Sequence, residues 1–396
     1  MEMKVSIIPT TKYVKEDGTF DKDAAIKQCG NIAGICYAKN GYKKVEEEKD
    51  ESIERRVDLT INNGHHSVYD HVFITLYLKN VPKIFNMVLN NEKQYTTSER
   101  SLRYTPIKDD GSISEDEVIL YNKWLEKLEP IISEKYSYIY NESKVNKLAQ
   151  ENARYMVTTF IPTEMVHTLS LRQINYIASW MKDYITNCDK SKLFDIRLAK
   201  SFAKFIDELD KLNVLDERLM NNEKHRSLSL FGKDLDKKVE YFGNVYSTNY
   251  KSSFAELAQG HRHRTLHYQM ELTDDKEYFV PLIIRNNTEL VSEWLEDIKS
   301  VKDANPQGEL VLINEEGTYE NFILKCKERL CSAAQLEIML ETRNLLLKYQ
   351  KALEESNHYL KDDIKNYTKG AICTFLDFEC TEDCKFNEGK VLKRTI

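Results

Sequence analysis

No stretch of this 396-residue chain reaches the roughly 18 consecutive apolar residues that a membrane-spanning helix needs. The opening Met1-Glu2-Met3-Lys4-Val5-Ser6 lacks the apolar core of a secretion signal. Positive charge is not in excess: 57 Lys and Arg stand against 64 Asp and Glu, a net charge of −7. That balance argues against bulk binding to a nucleic-acid polymer or an anionic membrane. An anionic ligand would have to be gripped locally, against an unfavourable overall field. The eight cysteines are mostly scattered rather than arranged as a disulfide framework, which fits a reducing, cytoplasmic setting.

What is present is ordinary in bulk and unusual in one place. With 41% hydrophobic and 31% charged residues, the chain reads as globular and long enough for about two domains. Ala258-Gln259-Gly260-His261-Arg262-His263-Arg264 packs guanidinium and imidazole donors together with no lysine among them. Arginine offers a rigid fork matched to phosphate and stays charged at any working pH. The cluster follows an apolar helical run, Phe254-Ala255-Glu256-Leu257-Ala258, so it reads either as a partly buried anion site or as a solvated helix end with i,i+4 partners. Upstream, Glu99-Arg100-Ser101-Leu102-Arg103-Tyr104 again sets arginine beside a hydroxyl and an aromatic ring; a backbone turn there would let Ser101 and Arg103 converge on one phosphate.

Periodicity predicts a strand at Val5–Pro9, a helix over Asp23–Tyr37, a strand at Val72–Leu78 and a helix over Val81–Asn90. Helices are expected over Ile119–Tyr140, Lys144–Met156, Thr163–Thr186 and Leu193–Leu209. Asn213–Lys238 is polar and reads as a linker. Beyond it come a strand at Val245–Ser247, a helix over Phe254–His261, a buried Phe279–Ile284, a helix capped by Thr288, and long helices over Tyr319–Glu328 and Ser332–Leu353. The order of events repeats, which points to a divergent tandem duplication of a helix-rich α/β (α+β) fold with a small sheet in each copy. The expected domains are 1–212, a linker at 213–238, and 239–396.

Asn63-Gly64-His65-His66-Ser67-Val68-Tyr69-Asp70-His71 resembles the Gly-His-x-Ser/Thr-x-x-Glu-His segment of flavin-dependent thymidylate synthases. Glu99 to Tyr104 is similar to the end of that family's Arg-His-Arg-x-x-Ser-x-Asn-x-x-Ser-x-Arg-Tyr signature. Asn91-Glu92-Lys93 stands where the signature would begin. The second half holds the missing part: Gln259 to Arg264 resembles Gln-x-x-Arg-His-Arg, but no Ser-x-Arg-Tyr follows it. Arg329 sits where the family places an arginine near its substrate; the matching place in the first half is near Met181.

The resemblance implies methylation of deoxyuridylate (dUMP) at carbon 5, with methylenetetrahydrofolate as carbon donor, FAD as flavin and NADPH as reductant. It implies Arg262, Arg329, Ser101 and His65 as catalytic residues. Gln259, Glu99, Ser101, Arg103 and Arg154 would bind the nucleotide; Ser67, Asp70, Arg172, His263 and Arg264 would bind the flavin. Family members are homotetramers with sites shared between subunits, so a fused pair implies a homodimer imitating a tetramer, with the halves dividing the work. Alternatives are a related one-carbon transfer to another pyrimidine nucleotide, or a non-catalytic flavin- or nucleotide-binding relative. Cys373, Cys380 and Cys384 crowd the tail and read either as thiolate metal ligands or as free thiols.

Overall fold

The computed structural model describes residues 2–38, 41–42, 45, 47–103, 105–107, 110–222, 226–381, 384, 390 and 392–396. In chain order the principal elements are β1 (Lys4–Ile7), α1 (Lys22–Ala33), α2 (Asp50–Asn62), β2 (Phe73–Pro82), α3 (Lys83–Asn91), β3 (Thr96–Glu99), α4 (Glu115–Tyr136) and α5 (Glu142–Ala153). Then follow β4 (Pro162–Ser170), α6 (Leu171–Asn187), α7 (Leu193–Lys211), α8 (Glu217–Met220), β5 (Tyr241–Phe242), β6 (Val245–Ser253) and α9 (Phe254–Gly260). The chain ends with β7 (His267–Glu271), α10 (Thr288–Ser300), β8 (Leu310–Thr318), α11 (Tyr319–Arg329), α12 (Leu336–Glu355) and α13 (Lys361–Ile364). Helices and two small sheets together give the expected α+β class.

The chain divides into two compact units. The first is Met1–Arg100 with Pro162–Ser229; the second is Ser101–Ile161 with Leu230–Ile396. Residues 101–161 therefore pack with the end of the chain.

The first unit is built on an antiparallel sheet of order β1-β2-β4-β3. Ile74, Leu76 and Leu78 alternate inward along β2, as a strand with one buried face requires. α3 is buried on every side, and its Phe85 ring meets Phe202 and Phe205 of α7 at 5.8 and 5.0 Å between centroids. Thr163–Ser170 is a strand, not the first turns of a helix. Thr163, Met165, His167 and Leu169 point inward in strict alternation, and the helix starts only where Ser170 caps the backbone N–H of Gln173 at 3.1 Å.

The second unit carries an antiparallel sheet of order β5-β6-β8-β7, the same connectivity as the first. The correspondence extends to register. Pro82 pairs with Pro162, eight residues before the cap Ser170; Ser253 pairs with Leu310, eight before the cap Thr318. β3 starts opposite Thr168 and β7 opposite Glu316, each two residues before its cap. One irregularity between Lys79 and Val81 is the only offset between the two ladders.

Ser114 and Glu117 start α4 with reciprocal side-chain and backbone hydrogen bonds. Trp124, Leu128, Ile132 and Tyr136 form its buried stripe, and Trp124 stands edge-on to Trp294 of α10 at 4.7 Å. α10 is capped by Asn287, whose side chain accepts from Glu289 and Leu290, so Thr288 is its first helical residue rather than its cap.

Candidate functional site

Ser253 sets the direction of the helix that leads to the arginine cluster. Its hydroxyl accepts from the backbone N–H of Glu256 at 3.1 Å and donates to Glu337 at 2.6 Å. Glu337 is buried and also accepts from Ser252, from the backbone of Ser253, and from Tyr155 at 2.7 Å. α9 then delivers Gln259, and the chain turns at Gly260, where a Cβ would stand 3.2 Å from the Tyr268 ring. Arg262, His263 and Arg264 follow directly.

His263 is buried and Arg262 exposed. Arg329, from the last turn of α11, donates through Nε to His263 Nε2 at 2.7 Å and through Nη2 to the Gln259 carbonyl at 3.4 Å. His263 Nδ1 lies 3.5 Å from Glu328 Oε2. Burial, with the charges of Arg329 and Lys325, drives the imidazole down to about 2, so it is neutral. Burial also pulls the Arg329 guanidinium below its usual range, and the charges of Arg262 and Arg103 push it the same way.

Arg103 pairs with Glu151 and donates to the Ala333 carbonyl at 3.1 Å. Ser101 accepts from the Arg103 backbone N–H at 3.3 Å, which closes the turn expected between them. Arg154 is buried; its Nε donates to the Glu151 carbonyl at 3.1 Å, while its Nη2 has no hydrogen-bond partner among the described residues. Tyr104 lies outside the described residues. Ser101, Arg103, Arg154, Gln259, Arg262, His263, Arg264 and Arg329 thus share one compact unit, although they come from distant parts of the sequence.

The other expected residues belong to the first unit. Arg172 grips Asp70 with both Nε, at 3.0 Å, and Nη2, and the Ser170 hydroxyl donates to the same carboxylate. Ser67 and His65 are exposed; the neighbouring His66 is buried between the Tyr176 hydroxyl and the Ile61 carbonyl, 2.9 Å from each. Glu99 pairs with Lys83. Where the second unit has its Arg-His-Arg triad, three residues ahead of the edge strand, the first has Asn91-Glu92-Lys93. Glu92 is buried there, held by Arg226 at 2.5 Å and the backbone of Ser229 at 2.6 Å. Arg226 in turn lies 3.5 Å over the Trp180 ring. Met181 holds the place of Arg329, eleven residues past the cap, and is fully buried.

A buried ionic group in the second unit went unread in the sequence. Lys325 and Glu315 pair at 2.6 Å with neither side chain exposed, and Tyr246 and Tyr250 donate to Glu315 at 2.6 and 3.0 Å. Burial opposes the Lys325 charge, but Glu315 and Glu256 outweigh it and raise the ammonium. Glu256 is fully buried with no hydrogen-bond partner for either oxygen among the described residues, and burial holds its carboxyl well above the usual range. Glu315 follows Val311 and Ile313 on the inward face of β8, so reading that strand would have revealed it.

No group of three or more His, Cys, Asp or Glu among the described residues is placed to hold a metal ion. No helix among them is long and apolar enough to cross a membrane.

Residues 20–183 match the family model for the thymidylate synthase complementing protein. That stretch, less than half of the chain, is similar to this family. The match contains the Gly-His, Ser-x-Arg, Arg154 and Arg172 segments; Arg262, His263, Arg264 and Arg329 lie beyond it. Curated relatives in the family are flavin-dependent thymidylate synthases. The chain is 23% identical over 149 residues to that of Pyrococcus furiosus, covering 35% of this chain and 57% of the relative. It is 24% identical over 138 residues to that of Thermococcus onnurineus, covering 33% and 53%. The chain therefore spans little more than half the length of the relatives it matches. Among solved structures, a UMP/dUMP methylase PolB from Streptomyces cacaoi, bound with 5-Br dUMP, is 14% identical over 45% of this chain and 77% of its own, with a TM-score of 0.29.

Proposed function

We propose that this chain is a flavin-dependent enzyme that methylates dUMP at carbon 5, using methylenetetrahydrofolate as carbon donor and FAD reduced by NADPH. The supporting observation is the convergence of charge on Arg329. Arg103, from the Ser-x-Arg segment, and Arg262, from the triad, both act on its guanidinium within one compact unit. Glu151 offsets Arg103 and Glu328 lies 3.9 Å from Arg329 Nη2, which leaves Arg262 and the Arg329 Nη1 donor to attract an added anion.

The donors there fit a phosphate-bearing pyrimidine and a phosphate-bearing cofactor. Arg154 Nη2 is buried without a partner, and neither Arg329 Nη1 nor the Arg262 guanidinium has a partner among the described residues. On this reading Ser101, Arg103 and Arg154 hold the nucleotide, with Gln259 and Arg262 facing the base. Arg329 stabilises negative charge that develops on the ring. Bound flavin supplies the reducing chemistry. The family resemblance assigns Ser67, Asp70, Arg172 and Arg264 to it, His65 to catalysis and Glu99 to the nucleotide. The two units are diverged copies of one ancestor, a reading supported by their matched strand order and register. Two copies per chain make the expected assembly a homodimer.

Purified protein should be yellow and should convert dUMP to thymidylate when given labelled methylenetetrahydrofolate and NADPH. R262A and S101A should each abolish turnover; full activity in either would end this reading. Bound flavin without methylation of dUMP would point to one-carbon transfer onto another pyrimidine nucleotide. Loss of both flavin and turnover would leave a non-catalytic relative.

A further inference from the structure

We infer that His263 is a positioning residue: its Nε2 lone pair fixes the guanidinium plane of Arg329, and Arg329 rather than His263 meets the nucleotide. The inference rests on the nucleotide-site reading above and refines it, because the family resemblance assigns this histidine to the flavin.

Three geometric observations support it. First, Arg329 Nε can only donate, so at 2.7 Å His263 Nε2 must accept and the ring proton sits on Nδ1. Nδ1 faces Glu328, the residue next to Arg329 on α11, and that carboxylate favours this tautomer. Second, the bond to His263 and the bond from Nη2 to the Gln259 carbonyl both grip the Nε–Nη2 edge of the guanidinium. The opposite end, with Nη1, is left to meet a ligand. Third, accessibility separates the pair: the His263 side chain is 2% exposed and that of Arg329 is 14%. A ligand reaches the arginine before the imidazole. The burial that keeps His263 neutral also keeps it an acceptor across the whole working pH range. The first unit lacks both members at once, with Glu92 and Met181 at the same register.

The test is dUMP binding to the purified full-length protein by calorimetry, with flavin content read by absorbance. H263F should weaken dUMP binding about tenfold or more, the scale of one hydrogen bond to a charged group. It should leave flavin content unchanged. H263Q, whose Oε1 replaces the lost acceptor, should recover binding to within about threefold of the parent. R329M should bind dUMP at least as weakly as H263F, and the H263F/R329M double variant should be no weaker than R329M alone. If H263F unfolds early, H263A carries the same expectations. Loss of flavin with dUMP binding intact in H263F would overturn the inference, as would additive losses in the double variant or an H263Q no better than H263F. Normal binding by R329M would overturn the nucleotide-site reading and this inference together. Normal binding by H263F beside a defective R329M would overturn this inference alone.

Discussion

At matching places on their sheets and flanking helices, the first unit has Ile74, Leu78, Phe85 and Ile177, and the second has Tyr246, Tyr250, Glu256 and Lys325. The first set is a plain apolar core; the second is a hydrogen-bonded ionic one centred on Glu315. One ladder therefore accepts either interior, with Glu315 paired to Lys325 and hydrogen-bonded by Tyr246 and Tyr250 where the ionic set replaces the apolar one. The contrast continues at the site positions. Asn91, Glu92 and Met181 stand against Arg262, His263 and Arg329, and Glu92 is used to tie down Arg226 and Ser229. An anion clamped by its own chain and two arginines with unspent donors beside a neutral imidazole are opposite uses of matching positions. The first serves structure; the second suits a ligand.

Exchanging residues between the units tests how deep this difference runs. The largest effect should come from K325M, which leaves Glu315 buried without its cation and should cost about 3–5 kcal/mol in chemical denaturation. Adding E315M should return part of that loss; an undiminished loss would mean that the pair is not the unit of stability. Next is R329M, which imports the residue of the first unit. It should lower turnover about 100-fold or more while the melting temperature stays within a few degrees. A smaller change follows from Glu256. Its folded carboxyl titrates well above the ordinary 4.5, so the proton it holds favours the folded state below that pH, and this advantage is lost as pH rises toward the folded value. E256Q, a mimic of the protonated acid, should escape that loss. At pH 7 it should be about 1–3 kcal/mol more stable than the parent, with the gap closing near pH 4.5. Equal pH profiles for the two proteins would show that Glu256 is ionised in the fold. The smallest effect should be E92Q, costing about 1 kcal/mol because Arg226 is partly exposed, with dUMP binding unaltered.

Much of this was readable from residue order alone. The strand at β2 and the helices α3, α5, α7, α9 and α11 announced themselves by spacing, and the Ser-x-Arg and Arg-His-Arg segments by their chemistry. β4 was misread because Thr163–Ser170 runs without a break into an apolar helix, and no glycine or proline within that strand-to-helix passage marks the change of period. β3, β7 and β8 escaped notice because they carry Glu99, Glu271, Glu315 and Glu316, which look like surface charge until a partner strand covers them. Lys325 and Glu337 were hidden for the same reason. A buried ionisable group has no signature apart from its partners, and these lie ten residues away for Lys325, in Glu315, and many tens of residues away for Glu337, in the hydroxyls of Ser252, Ser253 and Tyr155. The His263–Arg329 contact spans the interval from the triad loop to the end of α11, and only the folded ladder brings those ends together.

The assignment of Ser101–Ile161 to the second unit has a consequence for synthesis. This segment leaves the ribosome early, carrying Trp124, Leu128 and Ile132, but its docking partner Trp294 is translated much later. At ordinary elongation rates the wait for the rest of the chain is on the order of tens of seconds. A nascent hairpin of α4 and α5 must stay in solution through that interval with its sticky side uncovered, which makes it the segment where a chaperone would be most needed.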